Sequence, residues 1–118
     1  MPNDWSENIV VCDLADEPDL SEELSDLYNQ LTERPSENVP YVVLNMAGVT
    51  YLNSSNIAQI LRIRRRLIES QRTMKLCAVV DGVWSIMLLT GLDKVFEFVP
   101  DKATAIASLQ LQMSHKKS

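Results

Sequence analysis

One hexapeptide constrains the fold more than any other part of the chain. Tyr41-Val-Val-Leu-Asn-Met46 is apolar almost throughout, the composition of a strand covered on both faces and not of a half-exposed hairpin. A strand of that kind needs helices above and below it, and the flanking sequence supplies helical patterns. Leu20, Leu24, Leu27, Tyr28 and Leu31 recur at i, i+4, i+7, i+8 and i+11, one stripe of an amphipathic helix. Asp19 followed by Glu22 resembles a capping box at its start, and 34–38 ends it. β-type runs at 8–14, 73–80 and 95–99 alternate with helical patterns at 55–70, 83–89 and from Asp101 onward. Gly91 suits the left-handed position just beyond the third helix. Strands alternating with helices define an α/β domain. The expected architecture is a four- or five-stranded mixed sheet packed by about four helices. With 118 residues, the chain forms one domain over 1–118 with a polar tail at 110–118.

Several kinds of function lose their footing on residue counts alone. The chain holds three glycines, Gly48, Gly82 and Gly91, too scattered for a phosphate-cradling loop. Its single histidine, His115, lies in the polar tail, so a histidine-based catalytic triad has no base. Cys12 and Cys77 sit in apolar runs, form no metal-ligand spacing and read as small core residues of a protein in a reducing cytoplasm. No apolar run has the roughly 18 residues a membrane span needs. No catalytic residue, metal or cofactor is expected.

Charge is divided along the chain. Residues 1–40 carry eleven acids against Arg34, whereas 41–118 carry ten Lys and Arg against five acids, and the total is −5. An acidic total argues against nucleic acid as partner; opposite faces of one domain fit the asymmetry. The basic run Arg62, Arg64, Arg65 and Arg66 falls on the helix at 55–70. There Ile57, Ile60, Leu61, Leu67 and Ile68 centre on one side with Arg64 inside the stripe, and Arg62, Arg65 and Arg66 point outward. Arg64 either snorkels past the core or pairs with a buried acid, and the outward arginines either lie in solvent or dock an acidic partner. Trp84 and Met87, on the helix at 83–89, read as core.

Three segments carry a family resemblance. Val42-Val-Leu-Asn-Met-Ala-Gly-Val-Thr-Tyr-Leu-Asn-Ser-Ser-Asn-Ile57 resembles the STAS signature of a hydrophobic strand, Leu-Asp-Leu-x-x-Val, then Asp-Ser-Ser-Gly-Leu. Leu89-Thr-Gly-Leu-Asp-Lys-Val-Phe96 is similar to the family's Leu-Thr-Gly-Leu-Asp-x-x-Phe, and Asp101-Lys-Ala-Thr-Ala-Ile106 to its closing helix. The blocks stand in family order over 41–109 and point to the anti-sigma factor antagonists. That resemblance implies phosphorylation of Ser55, or less favourably Ser54, by an anti-sigma factor serine kinase, with a metal-dependent serine phosphatase resetting it. The implied partner surface comprises Asn53, Ser54, Asn56, Ile57, Gln59 and Arg62 with the acidic loop residues Asp16 and Asp19. A homodimer through an exposed helix face stays open.

This chain departs from the pattern in having Asn53 for the family's Asp and Asn56 for its Gly, and Ser70-Gln-Arg72 for a glycine pair. Asn56 is thus expected to present a polar side chain at the contact point. The same resemblance accommodates a STAS accessory subunit of a lipid ABC transporter, or an interaction module that is not phosphorylated. A serine hydrolase built on Ser54 or Ser55 would lack both a base and the GxSxG turn.

Overall fold

The computed structural model describes residues 3–5 and 8–117. In chain order the elements are β1 (Asn3–Trp5), β2 (Ile9–Ala15), α1 (Asp19–Thr32), β3 (Tyr41–Gly48), α2 (Ser54–Glu69), β4 (Met74–Cys77), α3 (Asp81–Thr90), β5 (Glu97–Val99) and α4 (Lys102–Lys117), with 3-10 turns at Ser36–Asn38 and Leu92–Lys94. The sheet runs β1-β2-β3-β4-β5; β1 lies antiparallel to β2 and every other pair is parallel. The expected α/β class with a mixed sheet is what forms. Sequence reading placed one strand before α1; β1 is the addition, because Asn-Asp-Trp carries no β pattern and owes its conformation to the edge of β2.

The strand order explains the layers. Parallel strands added in one direction by right-handed crossovers place every crossover helix on the same face. Accordingly α1, α2 and α3 cover one face with Val10, Cys12, Leu14, Val42, Leu44 and Met46 beneath them. The alternate residues Ile9, Val11, Tyr41 and Val43 face the other way and need separate cover. It comes from α4, through Ala105 and Leu109. That helix continues to Lys117, so the stretch read as a polar tail is helical at least that far. Burial pushes the Cys12 thiol up to about 12 and raises that of Cys77, as small core residues require.

Helix ends depart from the sequence reading in three places. Asp19 is the first helical residue and makes no capping box with Glu22; Pro18 holds the cap position without a side-chain bond. Glu17 substitutes, its Oε1 accepting the Ser21 backbone N–H at 2.9 Å. Gln71, just past α2, adopts φ 58, the left-handed conformation in which glycine is least strained; the backbone closes there with Gln71 N–H to Ile68 O at 3.0 Å and Arg72 N–H to Leu67 O at 2.8 Å. Gly91 does occupy the expected left-handed position, with φ 76.

Arg66 is the third departure. Expected to point into solvent, it is half-buried and reaches across to the end of α1. Its Nε donates to Leu31 O at 3.2 Å and its Nη2 to Arg34 O at 2.8 Å. No basic residue occupies the last turn of α1, so a neighbouring helix supplies the cation that its negative end favours. Arg66→Ala should therefore lower stability by about 1–2 kcal/mol, given two charge-assisted bonds in a half-buried setting. Arg66→Lys should recover only part of it, since an ammonium cannot fork between two carbonyls. Urea denaturation of both variants is the check; a Lys variant equal to wild type would refute the forked cap.

Candidate functional site

The carboxyl ends of β2 and β3 bring two loops together. The strands are parallel and paired up to Ala15 opposite Gly48, so the chain leaves both at the same edge and enters α1 and α2 side by side. Two carboxylates tie these loops to each other. Asp16 Oδ1 accepts the Thr50 N–H at 2.8 Å and its Oδ2 accepts the Thr50 hydroxyl at 2.7 Å. Glu17 Oε2 accepts from the Ser21 hydroxyl and, at 3.0 Å, from Asn56 Nδ2. Glu17 and Thr50 were not singled out by sequence reasoning, and no local pattern marks either, since their role exists only across the two loops.

At the start of α2 the side chains divide their tasks. Asn53 is the N-cap: its Oδ1 accepts the Asn56 N–H at 2.8 Å, and Asn56 Oδ1 accepts the Asn53 N–H at 3.0 Å. This reciprocal pair satisfies two of the donors that a helix N-terminus leaves open. Ser54 and Ser55, the first two helical residues, are both exposed. Neither hydroxyl has a hydrogen-bond partner among the described residues. Capping by a serine, the simple structural use for such a cluster, is therefore not what these two do.

The expected partner surface is only partly surface. Asn56 is 1% exposed, its side chain spent on Asn53 and Glu17, so the expectation that it faces a partner is corrected: an amide fits where the family has glycine because it turns inward. Gln59 is half-buried against α1, Nε2 donating to Ser21 O at 3.0 Å and Ser25 Oγ at 3.2 Å, which makes it a helix–helix contact. Ile57 packs on the main core, and Asn53 is half-buried. Ser54, Ser55, Asp19 and Arg62 remain exposed, Arg62 lying over the Tyr28 ring at 5.0 Å. Asp16 is beside them but engaged with Thr50. On α3, Met87 is fully buried, while Trp84 is 37% exposed and meets Phe98 edge-on at 5.1 Å.

The clasps have an acid limit. Hydrogen bonds, first from the Thr50 side chain, hold Asp16 below its ordinary 3.8, and those from the Ser21 and Asn56 side chains hold Glu17 below 4.5. Carboxylates with depressed folded values contribute stability that is complete above the unfolded values and is lost as pH falls through the folded ones. The share of the urea midpoint that the clasps supply should thus be complete above those ordinary values and decline below them. Thr50→Val should show a shallower decline; an identical acid profile would mean the Asp16 clasp carries no linkage.

The whole arrangement defines an α/β domain with two serines displayed at a capped helix start. The STAS domain family matches residues 12–105, and the chain belongs to that family. Solved structures of similar fold include a candidate anti-sigma factor antagonist from Thermotoga maritima, at 14% identity and TM-score 0.77, covering 92% of this chain and 93% of that one. An anti-sigma factor antagonist (STAS) domain protein from Planctomyces limnophilus has 18% identity and TM-score 0.77, covering 92% and 96%. The anti-sigma factor antagonist SpoIIAA in its unphosphorylated form has 11% identity and TM-score 0.66, covering 90% and 93%. At these identities the similarity is one of fold. Among the described residues no helix is long and apolar enough to cross a membrane.

Proposed function

We propose that this chain is an anti-sigma factor antagonist that binds an anti-sigma factor serine kinase and is switched off by phosphorylation at Ser55. The observation that carries the reading is the capping of α2 by Asn53 and Asn56, which leaves the Ser55 hydroxyl exposed and without a structural task. A phosphate there adds about −1.5 to −2 charges beside the positive helix end, where it is tolerated. A partner surface shaped to a neutral hydroxyl would have to desolvate that charge, so the complex weakens while the fold persists. The partner surface consists of Ser54, Ser55, Asp19 and Arg62, with the clasped Asp16–Glu17 loop as its rim. A metal-dependent serine phosphatase completes the cycle, and the STAS relatives named above, antagonists by description, support the assignment.

The test is intact-mass spectrometry after incubation with the cognate kinase and ATP. One added phosphate, absent in Ser55→Ala and retained in Ser54→Ala, is the expected result. An active kinase that leaves the chain unmodified would overturn the switch and favour an unphosphorylated interaction module or a transporter subunit.

A further inference from the structure

At the other end of α2, a cavity of about 150 Å³ opens between that helix and the β4–β5 edge. Leu67, Phe96 and Val95 contribute apolar wall, and Arg64, Arg72, Thr73 and Glu97 contribute polar groups. Arg64 is half-buried, and among the described residues no carboxylate or carbonyl accepts any of its donors. The neighbouring arginines are committed elsewhere: Arg66 to α1, Arg62 over Tyr28, and Arg72 to Val39 O at 2.7 Å, Ser70 O at 3.1 Å and Glu37 O at 3.3 Å. A guanidinium cannot shed its charge, so Arg64 offers a planar cationic fork to whatever enters.

Two further details define what would fit. Thr73 Oγ1 accepts from Gln112 Nε2 at 2.7 Å, which leaves the threonine's own proton for another acceptor. Glu97, on the rim, is paired with Lys75 Nζ at 2.5 Å; it leaves Arg64 uncompensated but makes the site unfavourable for a dianion. The volume corresponds to about five waters at roughly 30 Å³ each, room for a ligand of a few heavy atoms.

We propose that this cavity binds a small aliphatic monocarboxylate. The carboxylate engages the Arg64 fork and the Thr73 hydroxyl proton, and the short apolar part lies against Leu67 and Phe96. The match of a planar guanidinium to a planar carboxylate supplies the specificity. This site is separate from Ser55 and does not depend on the antagonist reading.

Titration of the full chain with sodium isobutyrate, followed by amide NMR shifts at constant ionic strength, tests it. Saturable shifts confined to the segments at 64–74 and 95–97 are expected, with millimolar affinity. Arg64→Gln should weaken binding by at least about tenfold and Arg64→Lys by less, both with dispersed spectra that report a native fold. Shifts that do not saturate, that chloride reproduces, or that persist in Arg64→Gln would overturn the proposal. Inorganic phosphate binding as tightly as isobutyrate would overturn the monocarboxylate assignment.

Discussion

Ile63→Ala should lower the unfolding free energy by about 2–5 kcal/mol, the cost of emptying a fully enclosed aliphatic site, whereas Leu61→Ala should change it by no more than about 0.5 kcal/mol. The two residues are isomers two positions apart on α2, and the apolar stripe read from the sequence favours Leu61 as the buried one. Their environments do: Ile63 is fully buried in the main core, and Leu61 is 36% exposed. The buried residues of α2 are Asn56, Ile60, Ile63 and Leu67, an arc rotated by roughly 80° from the stripe centred on Ile57, Ile60, Leu61, Leu67 and Ile68. Chemical denaturation of the two variants discriminates sharply. A larger loss at Leu61 than at Ile63 would mean that α2 sits on the sheet in the orientation read from the sequence, and would overturn the helix face described above.

The second large effect concerns the proposed switch. Ser55→Asp should leave the far-UV circular dichroism and the urea midpoint near wild type while weakening the kinase complex at least about tenfold, equivalent to ~1.4 kcal/mol. Stability holds because Ser55 has no capping role and a carboxylate near a helix start gains roughly 0.3–1 kcal/mol from the macrodipole, partly offset by Glu17, which Asn56 holds at the same helix end. Affinity falls because the new charge must lose its water at the contact. Asn53→Ala provides the contrast: it removes the cap, at about 0.5–2 kcal/mol of stability, without adding charge. A Ser55→Asp variant that binds the kinase like wild type would refute the switch, and one that unfolds would refute the claim that Ser55 is structurally idle.

The parts of this fold legible in the sequence are those written in local chemistry. β3 is apolar on both faces, Gly91 supplies a left-handed cap, and the Asn53-Ser-Ser-Asn56 cluster marks a helix start; each follows from a few adjacent residues. What escaped reading depends on residues distant in sequence. Arg66 looked like one of three solvated arginines because its acceptors, Leu31 O and Arg34 O, belong to another helix. Asn56 looked outward because its partner Glu17 lies 39 residues earlier. Leu61 and Ile68 drew the predicted stripe toward themselves, though the arc that α1 and the sheet cover lies to one side. The serine pair was found by resemblance and by its position; its freedom from capping became visible only with the side chains placed.

The division of labour at the start of α2 also bears on how such a protein can change over generations. Positions 54 and 55 carry no part of the helix end, which rests on Asn53 and Asn56. Substitutions at the two serines are therefore hardly filtered by foldability. On the proposed reading, a duplicated copy could acquire a different kinase, or lose phosphorylation and become permanently active, in a single step without first passing through an unstable intermediate. The architecture separates what must be kept from what is free to be tried.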